Sequence, residues 1–398
     1  MLDLLLYCLL GIACGTFCGL LPGVHPNNMI PVAVGMAAAL SLDPLCAVVL
    51  IVSMGISNIF ISYIPSTFLG VPDEGTALSV LPAHRLVREG RGYHAIRITG
   101  AGCLLGLLFG LALLPPFLLL GGRAYELLKG WVAWILLAIA ALMVLTERSL
   151  GRMGWAVAVF LLSGLLGLVS LSGRLCSGDA ALIPLFTGLF GLSTLLLGLG
   201  SGNRLPPQRE GEEEIRVNPK VLGVGGSIGA FMGMLPAVGP AQSTVVAQLA
   251  TQSKETEDFL LCVSEVNLLK VFYSFILLYL IGRARTGVAA AVQHLVEVNP
   301  PTLAPMVGAS LLAGGIATIL LLRLGRSASS FIPRLPYRLF LLLITCWVVG
   351  LTLWFCGLVG LPILATATAI GLLPPKVGVK RVHCMGVLML PVILSQLA

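Results

Sequence analysis

Apolar runs long enough to cross a hydrocarbon layer, about 20 residues each, recur from one end of this chain to the other and leave no stretch for a soluble domain. They lie near residues 3–22, 28–41, 44–62, 98–120, 130–147, 153–172, 180–200, 221–235, 240–252, 258–281, 302–322, 339–356, 357–373 and 382–397. Of the 398 residues, 57% are hydrophobic and 10% charged, and the mean hydropathy is +1.00, far beyond soluble globular domains. The expectation is an all-α polytopic membrane protein with about 12–14 membrane segments. Segments 28–41 and 240–252 are short enough to enter the bilayer and return instead of crossing.

The net charge of +7 points to basic loops on one side of a membrane, not to nucleic acid. With the N-terminus outside, 18 Lys and Arg fall on the inner side and only Arg123, Lys129, Arg174, Arg283 and Arg285 on the outer. The opposite orientation reverses that split and violates the positive-inside rule, so basic loops are expected in the cytoplasm and the chain in the cell membrane. Met1 to Leu10 has no Lys or Arg and lacks the basic start of a cleaved signal peptide; it reads as a retained first helix. The ten cysteines never form Cys-x-x-Cys and read as packed thiols, not as a metal site. The polar stretch "GSGNRLPPQREGEEEIRVNPK", Gly200 to Lys220, reads as a flexible cytoplasmic joint. It divides the chain into an N-terminal membrane repeat (1–200), a linker (201–220) and a C-terminal membrane repeat (221–398).

The two halves share a motif. "GIACGTFCGLLPGVHPNN" (Gly11 to Asn28) overlays "GGSIGAFMGMLPAVGPAQ" (Gly225 to Gln242) without a gap. Gly11, Gly15, Gly19, Pro22 and Pro26 match Gly225, Gly229, Gly233, Pro236 and Pro240, each 214 positions apart. Under the charge-derived orientation the helix before the first elbow runs inward and the helix before the second runs outward. That makes an inverted repeat with proline-broken helices, the arrangement of secondary transporters whose site lies near the midplane. The Gly-x-x-x-Gly steps let another backbone approach, and the prolines force the helix to stop. The short helices that follow begin with Asn27 and Asn28 in one half and Gln242, Ser243 and Thr244 in the other. Their N-termini suit an anion, and their side chains with carbonyls freed at the break suit Na⁺; Gly23 and Gly239 complete the elbows. A helix cap with a packing kink and no ligand is the plainer alternative for either elbow alone.

Further polar residues lie at membrane depth. "VSMGISNIFISYIPSTFLGVPDEGTAL" places Ser57 and Asn58 in an apolar run, then bends at Pro65 and Pro72 with Ser66, Thr67, Asp73 and Glu74 around the bends. It reads as a helix followed by a re-entrant hairpin. The basic stretch "PAHRLVREGRGYHAIR" reads as a cytoplasmic anchor. In "CVSEVNLLKVFYSF", Glu265, Asn267 and Lys270 interrupt an apolar span; charges there are expensive and mark functional sites. Lys270 paired with Glu265 or Asp73 is the structural alternative. Asn58 and Asn267 follow their elbows at similar distances and are read as repeat partners. Asp179 and Glu297 lie near segment ends and read as interfacial. No Gly-rich stretch carries the Lys-Ser/Thr of a phosphate cradle, which argues against ATP-driven transport.

The elbow "GLLPGVHPNNMIP", its counterpart "GMLPAVGPAQSTVVA", the hairpin "YIPSTFLGVPDEGTALSVLPAHRLVREGRG" and "SEVN" after the second elbow resemble the large membrane subunit of tripartite tricarboxylate transporters. The resemblance covers roughly residues 10–100 and 220–295. It implies a permease that imports carboxylates with Na⁺ or H⁺, alongside a small membrane subunit and an extracytoplasmic binding protein. It places substrate and ion contacts at His25, Asn27, Asn28, Ser66, Thr67, Gln242, Ser243 and Asn267. His25 stands where the family prefers glycine, and Ala237 replaces the first glycine of the second elbow.

The expected function is secondary active symport of a small organic anion by alternating access around the paired elbows, with no cofactor beyond Na⁺ or H⁺ as coupling ion. One alternative is a transporter of an unrelated substrate acting without partner subunits, and two more belong to other classes. A membrane-embedded enzyme would use His25, Asp73 with Glu74, or Glu265 with Lys270 as acid and base, though no H-E-x-x-H or G-x-S-x-G occurs. A scaffold would tolerate polar replacements at both elbows.

Overall fold

The computed structural model describes residues 2–21, 42–70, 75–173, 175, 178–200, 206–209, 213–235, 240–253, 255–334 and 337–397. Among the described residues all regular structure is helical, as the bilayer requires of a chain that must satisfy its backbone groups internally. Among the described residues, eight helical stretches are long and apolar enough to cross a membrane. They are Leu2–Leu20, Pro44–Leu69, Gly92–Leu145, Leu150–Ser170, Ala180–Leu197, Thr256–Ile281, Pro300–Phe331 and Leu342–Val377. Two pairs of runs that the sequence separates, 98–120 with 130–147 and 339–356 with 357–373, are joined through 3-10 turns at Lys129–Trp131 and Gly357–Val359. The helices Pro219–Met232 and Pro240–Thr251 have 14 and 12 residues, each too short to span alone.

Local chemistry sets several boundaries. Pro44, Pro219 and Pro300 open their helices, where a missing amide costs nothing, and Asn299 with Thr302 forms a reciprocal capping box. Pro65 does not itself mark the bend. The helix breaks at Ser62 and resumes as Tyr63–Leu69, because Pro65 has no amide to offer the Ile61 carbonyl one turn back. Gly70 ends this short helix at φ 67°, a left-handed conformation that a side chain disfavours.

The two larger hydrophobic cores each draw helices from both sides of the linker. One core joins Pro44–Ile61, Gly92–Leu128, Thr256–Ile281, Gly287–Leu295 and Pro300–Phe331 around Phe60, Tyr63, Phe272, Tyr273 and Met306. The other joins Val132–Leu145, Leu150–Ser170, Gly178–Phe186, Gly360–Val377 and Gly386–Leu397 around Leu136, Phe190 and Met389. The end of the second elbow helix contributes to both: Ala230 and Met234 enter the first core, Met232 and Leu235 the second. Outward faces carry large apolar side chains, among them Leu119 at 77% and Trp354 at 84% exposure, which suits lipid and would be a liability in water.

Several of the described linker residues, which the sequence reads as part of a flexible joint, are bound to the basic stretch. Gln208 accepts from the Gly92 amide at 2.8 Å and donates to the Val87 carbonyl at 3.0 Å, and the Arg209 amide donates to the Gly90 carbonyl at 2.7 Å. Arg91 Nε donates to Glu213 at 2.7 Å and its Nη2 to Glu257 at 2.8 Å; Arg97 donates to the Glu213 carbonyl at 2.6 Å. The buried His94 ring lies 3.0 Å from the same Glu257 oxygen. The basic stretch read as a surface anchor is therefore partly a clasp. These contacts also explain why the long helix starts at Gly92 instead of near residue 98: its polar first turns are held by acidic partners. The Arg91 hydrogen bond holds the Glu213 carboxyl below its usual range, against an opposing push from burial, and Arg91 itself is raised, chiefly by that bond.

Candidate substrate and ion site

Both elbow helices seat their glycines on a neighbour in the same pattern. Leu2–Leu20 packs against Pro44–Ile61, and Pro219–Met232 against Thr256–Ile281. A side chain on Gly11 would meet Leu50 and Ser53, one on Gly15 Met54 and Ser57, and one on Gly19 Asn58 and Ile61. In the second half, Gly225 faces Cys262 and Glu265, Gly229 faces Val266 and Leu269, and Gly233 faces Lys270. The two lists share one offset of 212 residues, so Ser53 corresponds to Glu265 and Asn58 to Lys270. This corrects the pairing of Asn58 with Asn267. Distance counted from the prolines misplaces it because the two connections after the elbows differ in length.

Glu265 is fully buried, and neither carboxyl oxygen has a hydrogen-bond partner among the described residues. It faces Gly225 and Gly226 of the elbow helix and Gly106 of the long helix, with Phe109 beside Gly226. The alternative pairing of Glu265 with Lys270 is not formed: Glu265 looks toward the first two of these glycines, whereas Lys270 lies beside Gly233 and has a partner of its own. Residues five apart project from different helix faces. A bare charge at such depth costs several kcal/mol, so this carboxyl calls for a proton or a cation beside it.

Asn267 joins the halves. Its Nδ2 donates to the Tyr63 hydroxyl at 3.5 Å, and its amide fills the space in front of Gly75. The first-half hairpin is thereby placed on the charged helix of the second half. Tyr63, the partner of Asn267, joins the candidate residues here; a tyrosine in an apolar run gives no signal of its own in the sequence. Within the hairpin Ser66 donates to the Tyr63 carbonyl at 3.2 Å, whereas the Oγ1 of buried Thr67 has no partner among the described residues. His84 is held down by burial, opposed by a hydrogen bond to the Thr67 backbone and reinforced by Arg88. Asn58 is buried with its Nδ2 unpartnered among the described residues.

Ser57 is used in packing: its hydroxyl donates to Ser53 at 2.7 Å and faces Gly15. After the second elbow, Pro240 starts a helix whose Thr244 hydroxyl returns to the Pro240 carbonyl at 2.6 Å, with Ser243 buried beside it. Pro22, Gly23, His25, Pro26, Asn27, Asn28, Asp73, Glu74, Pro236 and Gly239 lie outside the described residues, as do segment 28–41 and the side chains of Asp179 and Gln242. Glu297 is exposed in the loop before Pro300.

The sequence profile of the tripartite tricarboxylate transporter TctA family matches residues 5–386. The chain belongs to this family. It is a family of transporters and not of enzymes, which removes the embedded-enzyme alternative. The chain is also similar to the uncharacterized protein MJ1079 of Methanocaldococcus jannaschii, at 31% identity over 98% of each chain. No solved structure matches.

Proposed function

We propose that this family member is the permease of a carboxylate transport system in the cell membrane. It moves a small organic anion such as a di- or tricarboxylate by secondary active symport with Na⁺ or H⁺. The observation that carries this reading is the Asn267–Tyr63 contact, which brings a hairpin of one half onto the charged helix of the other at membrane depth. Two related halves meeting at broken helices is how secondary transporters build a midplane site. The substrate binds where the hairpin, the helix after the second elbow and Asn267 converge. The coupling ion is carried on Glu265, whose buried carboxyl has no other compensation among the described residues. Alternating access follows from movement between the two larger cores that the second elbow joins.

The N-terminus lies outside and the basic loops in the cytoplasm. A small membrane subunit and an extracytoplasmic binding protein deliver substrate, as the word tripartite in the family's description suggests. The test is uptake of radiolabelled citrate by the purified chain in liposomes, with its binding protein added, under an imposed Na⁺ or H⁺ gradient. Gradient-driven accumulation supports the reading. No uptake under either gradient across a broad panel of organic anions overturns it.

A further inference from the structure

At the start of the last helix, the residues from Arg381 to Met385 are all buried. Arg381 is 7% exposed. Its Nη1 donates to the Phe190 carbonyl at 3.2 Å and to the Thr194 hydroxyl. Its Nε and Nη2 donate to nothing among the described residues. These two nitrogens form one edge of the guanidinium, the fork whose parallel N–H bonds match the two oxygens of a carboxylate.

The nearby acid does not fill that fork. Glu147 Oε1 accepts from the Lys380 amide at 3.0 Å and lies 2.9 Å from His383 Nε2, so it is engaged on either side of Arg381 in sequence. Arg381 thus has neutral partners on one nitrogen and no anionic partner among the described residues; a buried cation without an anion is costly, and arginines at this burial are paired.

The surroundings place this fork beside the transport elements. Phe190 belongs to a π-helical turn, Thr187–Leu192, a rare distortion that recurs at functional sites. Thr194 packs under Gly70, where the Tyr63–Leu69 helix of the hairpin ends. The segment Arg381–Met385 packs against Pro240–Thr251, the helix after the second elbow. Thr194 also lies in the apolar stretch Ala180–Leu197, about 4.5 Å along the helix from the end of that stretch.

We propose that Arg381 binds a carboxylate group of the transported anion, Nε–H and Nη2–H each donating to one carboxylate oxygen. This assignment rests on the transporter reading for its ligand class. In the sequence Arg381 counts only as one more cytoplasmic cation; its burial against the π-turn gives it a second role.

The test measures equilibrium binding of radiolabelled citrate and succinate to the purified full chain and to R381K, R381Q and T194V, with melting temperatures recorded for each. Citrate or succinate binding to the wild type should weaken by about tenfold to a hundredfold in R381Q, the range for losing a charged hydrogen-bond partner. R381K keeps the charge but not the fork and should lie between. T194V removes an anchor of the arginine and leaves the fork, so its binding should stay within about threefold of wild type. The melting temperature of R381Q should not fall, since an uncompensated charge is removed.

Binding by R381Q within about twofold of wild type overturns the assignment, as does a loss in T194V equal to that in R381Q. Equal displacement of citrate by inorganic phosphate overturns the restriction to carboxylates. Wild-type binding of neither acid also overturns it. Arginine-dependent binding without gradient-driven uptake would instead overturn the transport reading and leave Arg381 as a carboxylate site.

Discussion

Glu265 places a carboxyl oxygen where a side chain on Gly226 would have to go. Gly225 borders the same carboxyl from the elbow helix, and Gly106 borders its methylene stem from the long helix. Three glycines on two close backbones thus border one acidic group at membrane depth, an arrangement that small residues make possible.

Gly226→Ala should therefore collide with Glu265 and Phe109. The expected cost is about 1–3 kcal/mol of stability, as for overpacking elsewhere, together with loss of uptake. Gly223, on the same helix, has open space around it, and Gly223→Ala should be neutral or stabilising by up to about 1 kcal/mol. Melting temperatures of the two variants in one detergent provide the comparison, and equal behaviour would remove Gly226 from the site.

Glu265→Gln keeps the shape and removes the ionisable group. The variant should be as stable as wild type or more so, yet lose gradient-driven accumulation while retaining exchange of labelled for unlabelled substrate across the liposome membrane. Accumulation with unchanged ion dependence would show that coupling lies elsewhere.

Asn267→Leu should abolish uptake, because the hairpin loses its polar contact and Tyr63 is left with an apolar neighbour. Tyr63→Phe removes the long hydrogen bond from Asn267, worth about 1 kcal/mol or less, and should raise KM severalfold with little change in the maximal rate. A larger loss in Tyr63→Phe than in Asn267→Leu would reverse these roles.

The clasp around Arg91 makes the linker sensitive to acid. Glu213 has its carboxyl lowered by the Arg91 hydrogen bond, so its contribution is present above the ordinary carboxylate range and is lost as pH falls through the lowered folded value. With the Arg91 and Glu213 side chains 24% and 34% exposed, it amounts to about 1 kcal/mol or less. Trypsin cleavage at Arg209 and Arg216 should be slow in wild type at neutral pH and faster in Arg91→Gln. Equal cleavage rates would show that the linker is free despite these contacts.

Much of this architecture was legible in the chain. Apolar runs reported the helices, and the Gly11, Gly15, Gly19 series with its counterpart at Gly225, Gly229 and Gly233 reported two close helix contacts, because a three-residue gap between glycines always falls on one helix face. Partner identities were less legible. Asn58 and Asn267 look alike in type and spacing, yet the contact register matches Asn58 with Lys270. Gln208 and Glu213 sit in a Gly- and Pro-rich linker whose composition suggests freedom, and only their acceptance from Gly92 and Arg91 reveals attachment.

By itself the sequence determined a helical membrane chain with two glycine-proline elbows, since hydrophobicity, the rise per residue and the missing proline amide are local properties. Tertiary structure decided which buried polar groups are left without partners. Glu265 and Arg381 are a carboxylic acid and a guanidinium like others in the chain until two glycine-lined helices close around one and a π-turn carbonyl holds one edge of the other. The cost of a buried charge depends on every atom within a few ångströms, and those atoms come from helices far apart in sequence.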